Sequence, residues 1–187
     1  MIKRTKSYIR LQLLKRLKKQ KEVERLKRSF QIQKKLFSLP EFIKAKVVLF
    51  YLSFDGEVET FRMIDKAISL GKKVAVPVIN KRSTRFVPSL IDDCGYGLED
   101  GPYGIYQPKP ECIRNIPLKK IDLVIVPAVA FDLKGNRIGR GLGYYDRFLY
   151  FLPQRIPSVG LAFGFQVLDK IPTVESHDFS VDKVLYS

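Results

Sequence analysis

The chain has 187 residues, of which 45% are hydrophobic and 28% are charged, and its formal net charge is +15. This length suits one domain with a sizeable core, so we predict a single domain over residues 1–187. No apolar run approaches the roughly 20 residues that a membrane-spanning helix needs, so we expect no membrane protein. Cys94 and Cys112 form no paired motif, and His177 is the only histidine. This argues against zinc sites and favours reduced thiols in a cytoplasmic protein.

The positive charge is concentrated near the N-terminus. Residues 1–36 contain 14 Lys and Arg against two Glu, whereas the other residues contain 20 against 17. Apolar residues recur at helical spacing in two stripes, namely Ile9, Leu13 and Leu17, and then Val23, Leu26, Phe30 and Phe37. The spacing predicts two amphipathic helices or one kinked helix, with the break at residues 19–21. We expect this basic segment, residues 1–37, to pack on the domain.

Two basic residues of this segment are candidates for binding an anionic ligand. Lys6 and Arg10 are four residues apart and therefore lie on one helical face near the terminus. Most of the other lysines are expected to be solvated. A basic amphipathic helix also suits RNA or an anionic membrane surface. Stacking on bases would need interleaved aromatic residues, but only Tyr8 is available before Phe30.

Beyond residue 37 the sequence alternates helices and strands. Apolar runs predict strands at residues 47–52, 74–79, 123–131, 157–163 and 183–186, and a weaker pattern predicts one at 85–88. Helices are predicted at residues 40–45, 61–70 and 144–152. We expect Thr60 to cap the second of these helices and Gly71 to end it. The pattern predicts a three-layer α/β fold with a mostly parallel central sheet and basic N-terminal helices.

Residues 93–110 contain four glycines, three prolines and three tyrosines, and no helix or strand is predicted there. A loop of this length in a compact domain is usually functional or disordered. Because aromatic residues alternate with the glycines, we expect this loop to form the wall of a pocket.

A glycine- and arginine-rich stretch, FDLKGNRIGRGLGYYDR at residues 131–147, is the strongest functional signal and is called the Gly/Arg motif below. Its glycines let a ligand approach the backbone, and its arginines suit an anion such as phosphate. The helix that follows adds its unpaired N–H groups and the positive end of its dipole. The spacing differs from the dinucleotide fingerprint, and no GK[ST] phosphate loop occurs. The alternative interpretation is a surface hairpin with solvated arginines.

Carboxylates also fall where α/β folds place their sites, beyond the carboxyl ends of strands. These acidic residues are Asp55, Glu57, Glu59, Asp132, Asp146, Glu175 and Asp178. Together with Arg137 and Arg140 they suggest a magnesium–nucleotide site. Acidic residues on loops are most often solvated, so each one alone is weak support.

The motifs together resemble the 5-formyltetrahydrofolate cyclo-ligase family, also called methenyltetrahydrofolate synthetases. The strings that carry the resemblance are GNRIGRGLGYYDRFL, the preceding VIVPAVAFD, and the following GLAFGFQ and HD. It runs nearly end to end and includes Lys6, Arg10, YLSFDGEVET and GPYGIYQP. Ala128, Leu142 and Gln107 depart from residues that are common in the family.

The resemblance implies an ATP- and Mg²⁺-dependent ring closure. ATP would phosphorylate the formyl oxygen of 5-formyltetrahydrofolate, nitrogen 10 would attack, and phosphate would leave to give 5,10-methenyltetrahydrofolate and ADP. Such an enzyme is expected to be a cytoplasmic monomer that acts on small molecules and binds neither nucleic acid nor membrane.

The resemblance also implies roles for individual residues. The expected ATP ligands are Lys6, Arg10, Arg137, Gly139, Arg140, Gly141, Gly143, Tyr144 and Tyr145. The expected folate ligands are Leu52, Glu57, Arg140, Gly141, Leu142, Gly143 and Tyr144. Asp146 and Asp178 are expected to bind Mg²⁺, and Arg140 and Tyr144 to act in the chemical step. The residue patterns alone favour Arg137, Arg140 and Asp146, favour Glu57 mildly, and give no reason to choose Leu52.

Two other functions remain open from the sequence. The basic N-terminal helices suit an RNA-binding module that places the Gly/Arg motif on phosphates. The α/β pattern also suits an enzyme that handles sugar phosphates or coenzyme A, because fold alone does not fix chemistry.

Overall fold

The computed structural model of the chain describes residues 5–80, 85–153 and 156–187, so the first four residues of the basic segment lie outside the described part. The helices are α1 Lys6–Lys18, α2 Glu22–Phe37, α3 Pro40–Lys44, α4 Phe61–Ser69 and α5 Tyr144–Phe151. The strands are β1 Val47–Leu49, β2 Lys73–Ile79, β3 Phe86–Ile91, β4 Leu98–Asp100, β5 Tyr106–Pro108, β6 Leu123–Val126, β7 Ala130–Asp132, β8 Arg137–Ile138, β9 Ser158–Ala162, β10 Val167–Leu168 and β11 Lys183–Tyr186.

A six-stranded sheet forms the centre of the fold, with the strand order β11-β9-β6-β1-β2-β3. Neighbouring strands are parallel except β3, which runs antiparallel to β2. Val48 of β1 fixes the central register, since it lies opposite Val74 on one side and Leu123 on the other. The predicted mostly parallel sheet is confirmed. Its parallel strands end at one edge, where sites of α/β proteins lie.

Helices cover both faces of this sheet. Successive residues of a strand point to opposite faces, and Val48 and Leu49 accordingly belong to different core clusters. The first cluster includes Leu17 of α1, Ile32 and Leu36 of α2, Phe42 of α3, and Met63, Ile64 and Ala67 of α4. The second includes Phe148 and Leu149 of α5. The predicted three-layer arrangement with basic N-terminal helices is therefore confirmed.

The predicted break at residues 19–21 separates α1 from α2, but the predicted buried face of α2 is wrong. Val23 and Phe30 are 76% and 54% exposed, whereas Ile32 and Leu36 are buried. The buried face also contains Ser29, whose Oγ accepts a hydrogen bond of 3.0 Å from the Glu59 backbone N–H. Because Ser29 is polar, a search for apolar residues at helical spacing does not identify the face that Ser29 shares with Ile32 and Leu36.

The predicted strand at residues 123–131 is wrong as a single element. β6 ends at Val126, and β7 belongs to a separate three-stranded sheet in the order β10-β7-β8. Pro127 comes between them and has no N–H with which to continue a ladder. This division turns the chain away from the central sheet, and the small sheet then carries the Gly/Arg motif.

The remaining predictions concern the two ends of α4, the loop at residues 93–110 and the absence of membrane-spanning helices. Gly71 ends α4 with a φ of 79°, as expected. Thr60 is the N-cap residue of α4, as expected, but its side chain makes no capping hydrogen bond. Its hydroxyl donates to the Tyr51 carbonyl at 2.7 Å, and the Glu59 carboxylate accepts from the Arg62 N–H. The expected loop at residues 93–110 contains the short β4–β5 hairpin. Within the described ranges, no helix is long and apolar enough to cross a membrane.

Candidate active site

The hairpin between β7 and β8 fixes the start of the Gly/Arg motif. Asp132 is buried, and its carboxylate accepts hydrogen bonds from Lys134 N at 3.0 Å, Asn136 Nδ2 at 2.9 Å and Ile171 N at 3.1 Å. Burial raises the pKa of Asp132, but these hydrogen bonds outweigh it and lower the pKa below its ordinary value. Gly135 turns the hairpin at a φ of 82°, and a Cβ there would lie 2.0 Å from the Val181 carbonyl oxygen. The hairpin is therefore tightly held.

A glycine-rich loop then connects β8 to α5. Gly141 and Gly143 have φ values of 106° and 66°, which favour glycine, and Gly143 directly precedes the first residue of α5. The loop, residues 139–143, separates two cavities and contributes residues to both.

The first cavity, called the apolar cavity below, lies beyond the ends of β1, β2 and β6. Its walls include Leu52, Pro77, Phe86, Ile105 and Tyr144. Ile105 belongs to the loop at residues 93–110, so that loop does contribute to a pocket wall, as predicted. Glu57, which is 6% exposed, places a carboxylate among these apolar walls. The cavity therefore suits a flat apolar ring that carries hydrogen-bond donors.

Arg140 is held at the apolar cavity by two carboxylates and one aromatic ring. Its Nε donates to Glu57 Oε1 and its Nη1 to Asp55 Oδ2, each at 3.1 Å. The guanidinium carbon lies 4.0 Å from the centre of the Phe54 ring. Burial raises the pKa of Glu57 above its ordinary value, although Arg140 opposes this shift.

The second cavity, called the polar cavity below, lies on the other side of the loop and is roofed by α1. Arg10 Nε donates to the Gly139 carbonyl at 2.8 Å, and Lys6 Nζ donates to the Asp178 carboxylate. Burial raises the pKa of Asp178, but the Glu175 N–H and Lys6 outweigh it and lower the pKa. Basic side chains of α1 thus contact residues that lie far along the chain, and these contacts meet at one cavity.

Arg137 lies between the two cavities and lines both. It is 6% exposed, and its Nη2 donates to Asp146 Oδ1 at 2.7 Å. Burial lowers the pKa of Arg137, and Asp146 opposes that shift. The same Asp146 oxygen accepts from the Phe179 N–H at 3.2 Å, next in sequence to Asp178. Asp146 and Asp178 therefore line one cavity.

Three buried donors around the apolar cavity have no hydrogen-bond partner among the described residues. They are Arg137 Nε, Arg140 Nη2 and the Tyr145 hydroxyl. Buried polar groups of proteins are normally paired, and an unpaired group costs about 1–3 kcal/mol. Donors that converge on a cavity without a partner indicate a ligand that supplies acceptors.

The cavities divide the expected site residues in a way the sequence does not reveal. Of the expected ATP ligands, the polar cavity is lined by Lys6, Arg10, Arg137, Gly139, Gly141 and Gly143. Arg140, Tyr144 and Tyr145 line the apolar cavity instead. Of the expected folate ligands, the apolar cavity is lined by Leu52, Glu57, Arg140, Leu142, Gly143 and Tyr144, whereas Gly141 lines the polar cavity.

Several residues that contribute to the site carry no strong sequence signal. Phe54 stacks on Arg140, and its only mark in sequence is its place between a strand and the Asp55–Gly56 turn. Gln107, whose role the sequence leaves open, accepts a hydrogen bond of 3.1 Å from the Ile79 N–H at the end of β2. It thereby ties the loop at residues 93–110 to the rim of the apolar cavity.

A mostly parallel α/β fold with an apolar cavity beside a polar one, at the edge where the strands end, is typical of enzymes that act on small molecules. The model of the 5-formyltetrahydrofolate cyclo-ligase family matches residues 2–187. The chain belongs to this family, and it is a ligase. The resemblance seen in the sequence is confirmed.

Relatives agree with this assignment. The 5-formyltetrahydrofolate cyclo-ligase of Haemophilus influenzae is 36% identical over 138 residues, which are 73% of each chain. That of Escherichia coli K12 is 33% identical over 156 residues, 83% of this chain and 85% of the relative. The NMR structure of 5,10-methenyltetrahydrofolate synthetase from Aquifex aeolicus has a TM-score of 0.83 at 31% identity, over 97% of this chain and 89% of that one.

Proposed function

We propose that this chain converts 5-formyltetrahydrofolate and ATP to 5,10-methenyltetrahydrofolate, ADP and phosphate, with Mg²⁺. The observation that carries the proposal is the position of the glycine-rich loop at residues 139–143. It lies between an apolar cavity that contains a buried carboxylate and a polar cavity that contains Lys6 and Arg10. A phosphoryl group from one cavity and a folate in the other would meet at this loop.

The apolar cavity suits the folate. Leu52, Phe86 and Tyr144 offer apolar contacts to a bicyclic ring. Each Glu57 oxygen accepts one hydrogen bond, from Arg140 Nε or from the Phe54 N–H, and each keeps a further lone pair. The amino and ring N–H groups of a pterin are the donors that such a carboxylate recognises.

The polar cavity suits the phosphates of ATP. Lys6 and Arg10 are placed there by α1, and Arg137 faces it from β8. The N–H groups of a glycine-rich loop and of a helix start favour negative charge, and here the loop leads directly into α5. Charge-assisted hydrogen bonds from these groups would fix the nucleotide's phosphate chain.

Asp146 and Asp178 would hold the magnesium ion. The described residues contain no cluster of three or more potential metal ligands. The two carboxylates nevertheless fit the ion, because Mg²⁺ is usually bound by one or two carboxylates together with substrate phosphates and waters. When bound, Mg²⁺ would neutralise charge on the phosphates. Lys6 and Arg137, which now pair with these two carboxylates, would then be available to the phosphate oxygens.

The proposed chemistry replaces a poor leaving group with a good one. The formyl oxygen forms a bond to the terminal phosphorus of ATP while the bond from that phosphorus to ADP breaks. Nitrogen 10 then bonds to the formyl carbon, the carbon–oxygen bond breaks, and phosphate departs as nitrogen 10 loses its proton. Arg140 belongs to the loop between the cavities and would stabilise the charge of the transferring phosphoryl group, and Tyr144 would orient the substrate.

The test is an assay of the purified chain with 5-formyltetrahydrofolate, ATP and Mg²⁺. We expect equal amounts of methenyltetrahydrofolate, ADP and phosphate, and no product with a non-hydrolysable ATP analogue. Absence of product would contradict the proposal. RNA binding with a steep salt dependence would then favour the nucleic-acid alternative, since log affinity falls with log salt in proportion to the phosphates contacted.

A further inference from the structure

We propose that the Tyr145 hydroxyl recognises the folate, by donating a hydrogen bond to the ring carbonyl beside the N–H groups bound by Glu57. This inference rests on the proposed function and deepens it. It assigns Tyr145 to substrate specificity, whereas the sequence resemblance places this residue at ATP.

The first observation is that the hydroxyl is buried and has no hydrogen-bond partner among the described residues. The ring of Tyr145 packs against Phe86 and Phe148, with ring centres 5.1 Å and 6.4 Å apart. A phenylalanine would satisfy this packing equally well, and the unpaired hydroxyl costs stability without a ligand. The hydroxyl is therefore explained by a group that is bound during function.

The second observation is the cavity that the residue faces. Tyr145 lines the apolar cavity and does not line the polar cavity. The Gly/Arg motif therefore places Tyr145 at the cavity that contains Glu57, and not at the cavity that contains Lys6 and Arg10. A nucleotide bound in the polar cavity would leave this hydroxyl unpaired.

The third observation concerns the charged neighbours of the hydroxyl. Burial raises the pKa of Tyr145, Glu57 raises it further, and Arg137 opposes the shift. The phenol therefore keeps its proton at neutral pH and can donate. The Glu57 carboxylate, which is proposed to accept hydrogen bonds from the substrate, therefore acts electrostatically on the Tyr145 hydroxyl.

These groups match one edge of the pterin ring of folate. Along this edge an amino group and a ring N–H are followed by a carbonyl oxygen, which gives two donors beside one acceptor. Glu57 supplies acceptors for the two donors, and Tyr145 supplies a donor for the carbonyl. A site with paired polar groups discriminates strongly against an analogue that leaves one of them unpaired.

The experiment compares two ligands in the absence of ATP, with binding measured by calorimetry. One is 5-formyltetrahydrofolate, and the other is its analogue with an amino group in place of the ring carbonyl. Tyr145→Phe should weaken binding of the first by roughly tenfold and change binding of the second little. The wild-type preference for the carbonyl compound should shrink by a similar factor. Glu57 is common to both proteins, so the comparison isolates the hydroxyl.

Two variants serve as controls. Tyr51 also lines the apolar cavity, but its hydroxyl already donates to the Val58 carbonyl at 3.2 Å. Tyr51→Phe should therefore lower the thermal unfolding midpoint and leave the preference between the two ligands unchanged. Tyr145→Phe should leave the midpoint of the ligand-free protein unchanged or raise it. Tyr96 is 93% exposed, and Tyr96→Phe should change neither quantity.

Specific results would overturn the inference. An equal loss for both ligands, a loss of ATP affinity alone, or unchanged binding with a lowered midpoint would each show that the hydroxyl does not recognise the carbonyl. If the wild type binds 5-formyltetrahydrofolate and converts it, these results reject the inference alone. If the wild type neither binds nor converts it, the proposed function fails and the inference fails with it.

Discussion

Arg140 Nε donates a hydrogen bond to Glu57 Oε1 across 3.1 Å, so two residues with different expected roles bind each other. A pterin that binds the remaining lone pairs of the Glu57 carboxylate would share it with Arg140. Arg140 also keeps Asp55, at 3.1 Å, and its stacking on Phe54. Folate binding would therefore leave the arginine in its place, and its Nη2, which has no partner among the described residues, would remain available to a phosphoryl group.

Glu57→Gln should raise the KM for 5-formyltetrahydrofolate by on the order of 10- to 100-fold, because an amide offers one acceptor where the carboxylate offers two. Folate affinity of the wild type should fall as pH drops, since only ionised Glu57 accepts both donors. Burial raises the Glu57 pKa, so this fall should begin at a higher pH than for an ordinary glutamate. The measurement is KM for folate against pH.

The control for this prediction is Glu24→Gln, on the exposed surface of α2. It should keep the wild-type KM at every pH. A Glu57→Gln variant with the same pH profile as the wild type would contradict the assignment of Glu57 to the folate.

Lys6→Ala and Arg10→Ala should each raise the KM for ATP by roughly tenfold or more, because each removes a charge-assisted donor from the polar cavity. Lys15 and Lys27 are exposed on α1 and α2, and their replacement by alanine should leave this KM unchanged. Steady-state kinetics at varied ATP provide the measurement. Equal losses in all four variants would indicate a general effect of positive charge instead of two specific ligands.

The parts of this fold that local pattern determines could be predicted from the sequence. Apolar runs marked the central strands, Gly71 marked the end of α4, and the glycines of the Gly/Arg motif marked the start of α5. Each of these features depends on a few adjacent residues. Pro127 marks the division of residues 123–131 in the sequence, but the apolar run extends across it, because both halves are buried.

The division of the site residues between two cavities could not be predicted from the sequence, for a different reason. A glycine-rich loop has no fixed periodicity, so neighbours such as Arg140 and Gly141 can face different cavities. The role of Phe54 likewise depends on the position of Arg140, 86 residues along the chain. Long-range contacts of this kind are set by tertiary packing.

Asp132→Asn should destabilise the protein by about 2–3 kcal/mol, because it places an amide donor among backbone donors in a buried site. The lowered pKa of Asp132 means that the folded state favours the ionised carboxylate. This stabilisation is present above the ordinary Asp pKa of about 3.9 and is lost as pH falls through the folded value. The difference in stability between the variant and the wild type should therefore shrink as pH falls below about 3.9.

Urea denaturation between pH 7 and pH 2 measures this difference. Asp169→Asn, at an exposed position, is the control and should match the wild type throughout. A stability gap for Asp132→Asn that is the same at every pH would show that the charge of Asp132 plays no part in fixing the hairpin.

Arg140→Lys should lower the turnover of 5-formyltetrahydrofolate by on the order of 10²-fold or more, while the KM for ATP changes far less. A lysine keeps the charge but cannot donate to Asp55 and Glu57 in the planar geometry of a guanidinium, nor stack as well on Phe54. In the proposed transition state, charge spreads over the oxygens of the transferring phosphoryl group, which a planar fork matches better than a point charge.

Arg114, 49% exposed and paired with Asp92 on the surface, offers a matched control for Arg140→Lys, and Arg114→Lys should keep wild-type turnover. The measurement is the rate of methenyltetrahydrofolate formation against ATP concentration at saturating folate. A rise in the KM for ATP with unchanged turnover would make Arg140 a binding residue and would remove it from the chemical step.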